Sequence, residues 1–444
     1  MNRFVVLLVL TAGPIWAAEP TSAVRDPLRI QWPMLVTQLP IEASEGQTSR
    51  HEGMLRAEFG EGARIVLVDS DGSRRVLTDG FHSACDPDVF FDGAKFLFAG
   101  KRSADDDWNI FEMTLADRSV RQVTDQMGNC RSPIYQSTLF TLDSPEPWYQ
   151  LTFVSDAAGT PNDDGLGVAT HLYSCELDGS TVRRLTYNVS SDFDPFLMQD
   201  GRLLFSSWQR STTEHGPRGR IRLFGVNLDG TDYALFADPA GPAIQHMPCI
   251  SQCGWVVFVA ADQVPWDGAG RLAAVSYRRP LRTFQTFTEA GDGLFHSPSP
   301  LPNGGILVAR RPADGSAAHA IGRFDLAAGR WQAVFDDPDW HDIQPRVVFR
   351  RARADGRSSV VRDDRPHGAL YCLDVAVTDF ESSDWMPPGS VKRVRLLEGV
   401  PQAAKGDVAE RPSPDSSDDA NDEASTDAGW PLAVRRILGE ADVM

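Results

Sequence analysis

The chain has 444 residues, 42% of them apolar, and a net charge of −18 at pH 7. The apolar content suffices for a packed core, while the acidic balance argues against nucleic acid or an anionic membrane as partner, since both reward basic patches. The 43 basic residues are 39 Arg and 4 Lys, a skew that reads as genome composition and not as a binding surface.

The chain opens MNRFVVLLVLTAGPIWAAEP. One positive charge at Arg3, an apolar run over residues 4–10, the breaker Gly13-Pro14 and small residues Ala17 and Ala18 predict a secretory signal peptide over residues 1–18. The run is too short to span a bilayer comfortably, and no other stretch approaches 18 apolar residues. The expected address is therefore the periplasm or the exterior, with no membrane span after cleavage. Export permits disulfides among Cys85, Cys130, Cys175, Cys249, Cys253 and Cys372. Cys249 and Cys253 flank a hairpin and suit either a local bridge or free thiols. The sequence has no C-x-x-C-H, so no c-type haem is expected to be attached covalently.

A pattern then recurs. In DPDVFFDGAKFLFAGKR, DPFLMQDGRLLFSSWQR, MPCISQCGWVVFVAAD and SPSPLPNGGILVARRP a glycine follows a proline by six residues: Pro87–Gly93, Pro195–Gly201, Pro248–Gly254 and Pro298–Gly304. Weaker copies start at Pro133 and Pro345, and successive prolines lie 46, 62, 53, 50 and 47 residues apart. Proline is tolerated at the start of a strand. The Asp-Gly pair between apolar runs is expected to form a two-residue type I′ hairpin turn, with both residues at positive φ. Four short strands with their turns need roughly this length, the size of a propeller blade.

Each anchor follows a second hairpin of alternating apolar residues around a turn, as in RIVLVDSDGSRRVLTD and HLYSCELDGSTVRRLTY. The first such hairpin precedes every anchor, and the last anchor has none soon after it. Both facts are explained if the N-terminal segment supplies the outer strands of the blade that Pro345 begins, which closes the ring and hides its edges. The predicted fold is all-β: a six-bladed propeller over residues 28–360, closed by N-terminal strands and followed by a small β-rich C-terminal region. RRLT at Arg183–Thr186 and FSSWQR at Phe205–Arg210 resemble the TolB-type, WD-like propeller repeats of exported bacterial proteins. That resemblance implies a fold more than an activity.

After Pro366 the blade signatures stop. The segment GDVAERPSPDSSDDANDEASTDAG has eight acidic residues, two prolines and no aromatic, and residues 403–429 read as a disordered acidic insertion. The flanking LYCLDV, MPPGSVKRVRLLEG and RRILGE blocks, with the propeller before them, resemble proteins related to the hydrazine synthase alpha subunit. The resemblance implies an exported six-bladed propeller followed by a middle domain, here a partial one over residues 366–444, and then by c-type haem sites. The family's haem-attachment motif is absent and the chain stops where that region is expected to begin. No catalytic or haem-binding residue is carried over.

Candidate chemistry lies in the loops before the prolines. His82, His246, His296 and His341 stand five, two, two and four residues ahead of an anchor, and Asp192, Asp194 and Cys130 occupy the corresponding loops elsewhere. Such loops meet at one mouth of a propeller channel, where His82, Asp194, His246, His296 and His341 could hold a divalent metal and activate water. The blander expectation is a structural hydrogen-bonding role for each histidine within its own blade. Asp105–Asp107 and Asn162–Asp164 are acidic turns without the spacing of a calcium loop, and Asn188-Val189-Ser190 is a glycosylation sequon by pattern. The functional expectation is a binding and assembly module with a protein partner, a cytochrome among the candidates, in a redox or multi-haem complex. A metal-dependent enzyme with its site at the channel mouth is the alternative.

Overall fold

A computed structural model describes residues 31–41, 59–140, 148–161, 168–211, 216–237, 241–262, 265–361, 391–400 and 434–442. The predicted leader, Cys372, Asn162–Asp164 and the acidic segment 403–429 lie outside the described residues.

The protein is all-β. Among the described residues, helix is limited to short 3-10 turns such as Pro280–Arg282 and Ala290–Asp292. Each anchor proline lies in the leading strand of an antiparallel meander. The first runs Ser83–Val89, Lys95–Lys101, Asn109–Thr114, Val120–Gln122. The second leads with Cys130–Phe140, the third with Asp192–Leu197, the fourth with Ile244–Ile250 and the fifth with Leu294–Pro300. The third and fourth join through one parallel bridge, Ile221 with Ile244. The leading strand Trp340–Val347 pairs with Met34–Pro40 from the other end of the chain, which pairs in turn with Arg64–Val68.

Neighbouring meanders pack through their apolar faces. Leu35, Ile65 and Leu67 pack with Phe96, Phe98 and Phe111, and Val256 and Phe258 pack with Leu204 and Leu223. The threonine of the LT-type repeat ends has a defined task. Thr78, Thr124, Thr186 and Thr288 each accept, through Oγ1, the backbone N–H that opens the preceding strand, from Ile65, Ile110, Leu172 and Leu272 at 2.9, 2.8, 3.1 and 2.9 Å. That bond replaces a ladder partner where the outermost strand stops short.

The turns differ from expectation. In the Met198–Gly201 turn only Gly201 has positive φ (82°), and Asp200 does not. Gly201 N–H donates to Met198 O at 3.0 Å and Met198 N–H to Arg202 O at 2.8 Å. This is a three-residue loop, a type I turn followed by a left-handed glycine, and not the two-residue type I′ turn. Gly254 and Gly304 close the same way, with φ of 85° and 88°. The proline-to-glycine spacing is thus set by one left-handed residue, which glycine adopts without steric cost.

Beyond the last leading strand, residues 349–361 cross the turn ends of the earlier meanders. Arg351 N–H donates to Phe91 O and Asp355 N–H to Gln199 O, both at 2.9 Å. Arg357–Ser358 then pairs in parallel with Leu139 and Phe140, and Ser359 Oγ donates to Asp229 Oδ2 at 3.1 Å. All five described cysteines are free thiols, including Cys249 and Cys253, so no local bridge forms there.

Candidate functional site

The residue immediately before every anchor proline is left-handed: Asp86, Ser132, Asp194, Met247, Ser297 and Gln344 have φ of 58°, 47°, 50°, 51°, 50° and 51°. Proline disfavours the right-handed helical region for its predecessor, and a non-glycine residue in the left-handed region costs about 1–3 kcal/mol. Each leading strand has a register shift at this point, for example between Cys85 and Asp88 and between His246 and Cys249. The bulge turns the backbone inward, and the six positions meet around one cavity of about 130 Å³ lined by residues of all six leading strands.

Their side chains link them in two runs, Gln344–Asp86–Ser132 and Asp194–Met247–Ser297. Gln344 Oε1 accepts Asp86 N–H at 2.8 Å, Asp86 Oδ2 accepts Ser132 N–H at 3.0 Å, Asp194 Oδ2 accepts Met247 N–H at 3.1 Å, and Met247 Sδ accepts Ser297 N–H at 3.2 Å. Each link crosses from one meander to another. The strained backbone at Asp86, Ser132, Met247 and Ser297 is therefore held by a neighbour's side chain.

The cavity's charges are mostly paired. Arg131 Nε bonds Asp86 Oδ2 at 2.9 Å and its guanidinium lies 4.3 Å from the centre of the Trp108 ring. Burial disfavours the Asp86 carboxylate, but Arg131, Ser132 and Gln344 together hold it below the usual range. Asp194 has no such support. Burial pushes it up to about 7, with Met247 N–H and the charges of Arg346 and Arg131 offsetting only part of that cost.

Beside the cavity the structure gathers histidines. His246, His296, His319 and His341 are buried, and backbone groups of Gly268, Asp267 and Ile41 bond His246, His296 and His341 in turn. His319 Nδ1 and His341 Nδ1 are 3.0 Å apart, and Trp266 packs on His341 with centroids 5.3 Å apart. His319 Nε2 stands 3.0 Å from Asp267 Oδ2, which also receives Arg311 Nε at 2.6 Å. Burial opposes ionisation of Asp267, yet His319 and Arg311 hold it well below the usual carboxylate range. Burial lowers His246 to about 4, His296 to about 3 and His341 to about 4. They are neutral imidazoles at pH 7.

Of the five sequence candidates, His296 and His341 meet through His319, and His246 Nδ1 faces Asp194 Oδ2 at 3.8 Å. His82 stands apart: it is exposed, with Nε2 3.4 Å from Glu61 Oε2. Sequence reasoning missed Arg311, which ends a second strand, and His319 and Asp267, which lie in connections between second and third strands. The WDG turn at Trp266-Asp267-Gly268 was the available signal for one of them. Among the described residues, no group of three or more His, Cys, Asp or Glu is arranged to hold a metal ion. Asp106 is an ordinary turn residue, accepting Ser103 N–H at 2.9 Å. The sequon amide of Asn188 is engaged with Trp208 O at 2.8 Å and Ser207 Oγ at 3.1 Å.

No family model matches the sequence. Hydrazine synthase subunit alpha of Kuenenia stuttgartiensis is 26% identical over 466 aligned positions, covering 85% of this chain and 56% of that protein. The solved Kuenenia stuttgartiensis hydrazine synthase superposes with a TM-score of 0.64 and 26% identity, over 78% of this chain and 51% of that one. TolB from Acinetobacter baumannii gives a TM-score of 0.47 and 13% identity, over 71% of this chain and 66% of that one. This chain thus spans about half the length of the hydrazine synthase subunit it matches. No helix among the described residues is long and apolar enough to cross a membrane. The chain is a relative of the hydrazine synthase alpha subunit, an all-β protein with propeller-type meanders.

Proposed function

We propose that this chain is an exported six-bladed propeller that serves as a binding and assembly module in a multi-subunit redox complex, without chemistry of its own. The observation that carries the reading is the 26% identity and 0.64 TM-score to a hydrazine synthase subunit over most of this chain. Six strained leading strands support the blade count, and pairing of Met34–Pro40 with Trp340–Val347 supports closure of the ring. Residues 28–360 form the ring in this reading. Residues 366–444 begin a middle domain, whose Arg393–Val400 and Val434–Asp442 strands pair antiparallel across the acidic segment. The leader supports a periplasmic or secreted address. The partner is a protein, a cytochrome in the first instance, and no haem is attached covalently to this chain.

Affinity purification of the tagged full chain from its own host, with chemical cross-linking, tests the reading. A stoichiometric protein partner is expected. Recovery of the chain alone, without cross-links to another protein, overturns it.

The competing reading is a metal-dependent enzyme, with the metal held among His82, Asp194, His246, His296 and His341. The approach of His296 and His341 to His319 favours it, and His82, exposed beside Glu61, does not. Elemental analysis of the purified protein, with and without His246→Ala and His296→Ala, separates the two. Stoichiometric metal lost in both variants supports the enzyme. Its absence, with melting unchanged by chelator, removes that reading.

A further inference from the structure

Arg346 and Arg351 line the central cavity, and Arg131 bonds its wall residue Asp86. Arg131 pairs with Asp86 at 2.9 Å and Arg351 with Asp88 at 3.4 Å. Arg346 has no carboxylate within ion-pair distance among the described residues. One of its five donors is used, Nη1 to the carbonyl of Pro345 at 3.1 Å. The groups that feel its charge are Asp86 and Asp88 in the first leading strand, Asp194 in the third, Cys249 in the fourth, and Arg351. Arg346 itself lines the cavity, together with residues of all six leading strands. Arg346 is half-buried, and desolvation lowers its pKa although the charges of Asp88 and Asp86 raise it, a cost that a bound anion would offset.

We propose that the central cavity is a binding site for a small planar carboxylate, held by Arg346. The protein's own acids do not fill the role. Asp86 accepts from Arg131, Ser132 and Gln344, and Asp88 Oδ2 accepts Tyr135 N–H at 2.9 Å besides Arg351. A guanidinium offers a planar fork that matches a two-oxygen anion bidentately. The cavity of about 130 Å³ is well above the ~10–15 Å³ that admits one water, so a small carboxylate such as formate or acetate has room beside Arg346. A dianion such as sulfate is disfavoured by the two carboxylates already on the wall.

Isothermal titration and thermal-shift measurements on the full chain test this with sodium formate and sodium acetate against sodium chloride at equal ionic strength. Saturable binding of formate or acetate is expected. Arg346→Gln should abolish it and Arg346→Lys should weaken it. Direct observation of ¹³C-formate broadening by the wild-type protein, reversed by unlabelled acetate, covers the case in which an Arg346 variant fails to fold. Equal response to carboxylate and chloride, absence of saturable binding, or unchanged binding in a folded Arg346→Gln protein overturns the proposal.

Discussion

Gln344 and Asp86, 258 positions apart in sequence, clasp one another: Gln344 Nε2 donates to Asp86 Oδ1 at 2.5 Å, and Asp86 N–H donates to Gln344 Oε1 at 2.8 Å. The same Oε1 accepts Thr37 Oγ1–H at 2.8 Å. One amide thereby fastens the last leading strand to the first meander and to the N-terminal strand. Both residues are left-handed, so the clasp also holds strained backbone that would otherwise relax.

Removing that amide should be costly. Gln344→Ala leaves Asp86 N–H and Thr37 without their acceptor in a buried setting. Each unsatisfied group costs about 1–3 kcal/mol, so a loss of about 2–4 kcal/mol is expected in urea unfolding. Gln344→Glu keeps an acceptor but sets a carboxylate against Asp86, and should be no better than alanine at pH 8. Wild-type stability in the alanine variant would show that the clasp does not hold the ends together.

Two turn glycines separate backbone strain from crowding. Gly72 has φ 87° with nothing within 4 Å of an added Cβ, whereas a Cβ on Gly201, φ 82°, would meet Asp355 O at 2.4 Å. Gly72→Ala should cost only the left-handed penalty, about 1–2 kcal/mol. Gly201→Ala should cost more, because the backbone of residues 349–361 must also move. Hydrogen exchange should then quicken at Asp355 N–H, which bonds Gln199 O, in Gly201→Ala alone. Equal costs and equal exchange would remove the crowding argument.

The repeat was legible because proline and glycine are backbone requirements, written as the same letters in each copy. The bonds around the cavity were not, since the residues before the prolines are Asp, Ser, Asp, Met, Ser and Gln. They share a conformation and no side-chain chemistry. The histidines were half legible. His246, His296 and His341 lie an even number of positions before the bulge-flanking proline and end buried together, while His82, at an odd offset of five, precedes its strand and stays exposed. His319 and Asp267 belong to later strands and connections, which proline spacing does not index. The turn type was misread because Asp-Gly also suits a three-residue loop in which glycine alone is left-handed.

The buried Arg311–Asp267 pair should behave as one element. Breaking a buried pair from one side costs about 3–5 kcal/mol because a charge is left uncompensated. Arg311→Met should show a loss of that order in chemical denaturation, since Asp267 would retain only His319 and Ala269 N–H as partners. The double variant Arg311→Met/Asp267→Asn should recover part of it. Additive losses in the double-mutant cycle would mean that the two groups do not interact.

Acid and base groups of the cavity and its histidine neighbours pull stability in opposite directions with pH. His246, His296 and His341 are held at about 4, 3 and 4 by burial, below the unfolded value of about 6.5. The unfolded chain takes up their protons first, so the stability they support is complete above pH 6.5 and is lost as pH falls toward 4. Asp194, raised to about 7 by burial, does the reverse: its penalty is absent near pH 3.8 and grows until pH 7. Asp194→Asn keeps an acceptor for Met247 N–H and removes the ionisation. It should therefore stabilise the protein at pH 8 by up to about 4 kcal/mol, since each tenfold change in an ionisation constant is worth ~1.4 kcal/mol. The gain should vanish by pH 4. With that opposing slope gone, the variant should lose stability more steeply than wild type between pH 6.5 and 4.5, as the histidines dominate. Thermal unfolding across pH 4–8 measures both slopes. A gain at pH 8 that persists unchanged to pH 4 would show that Asp194 is not the carboxyl titrating near neutrality.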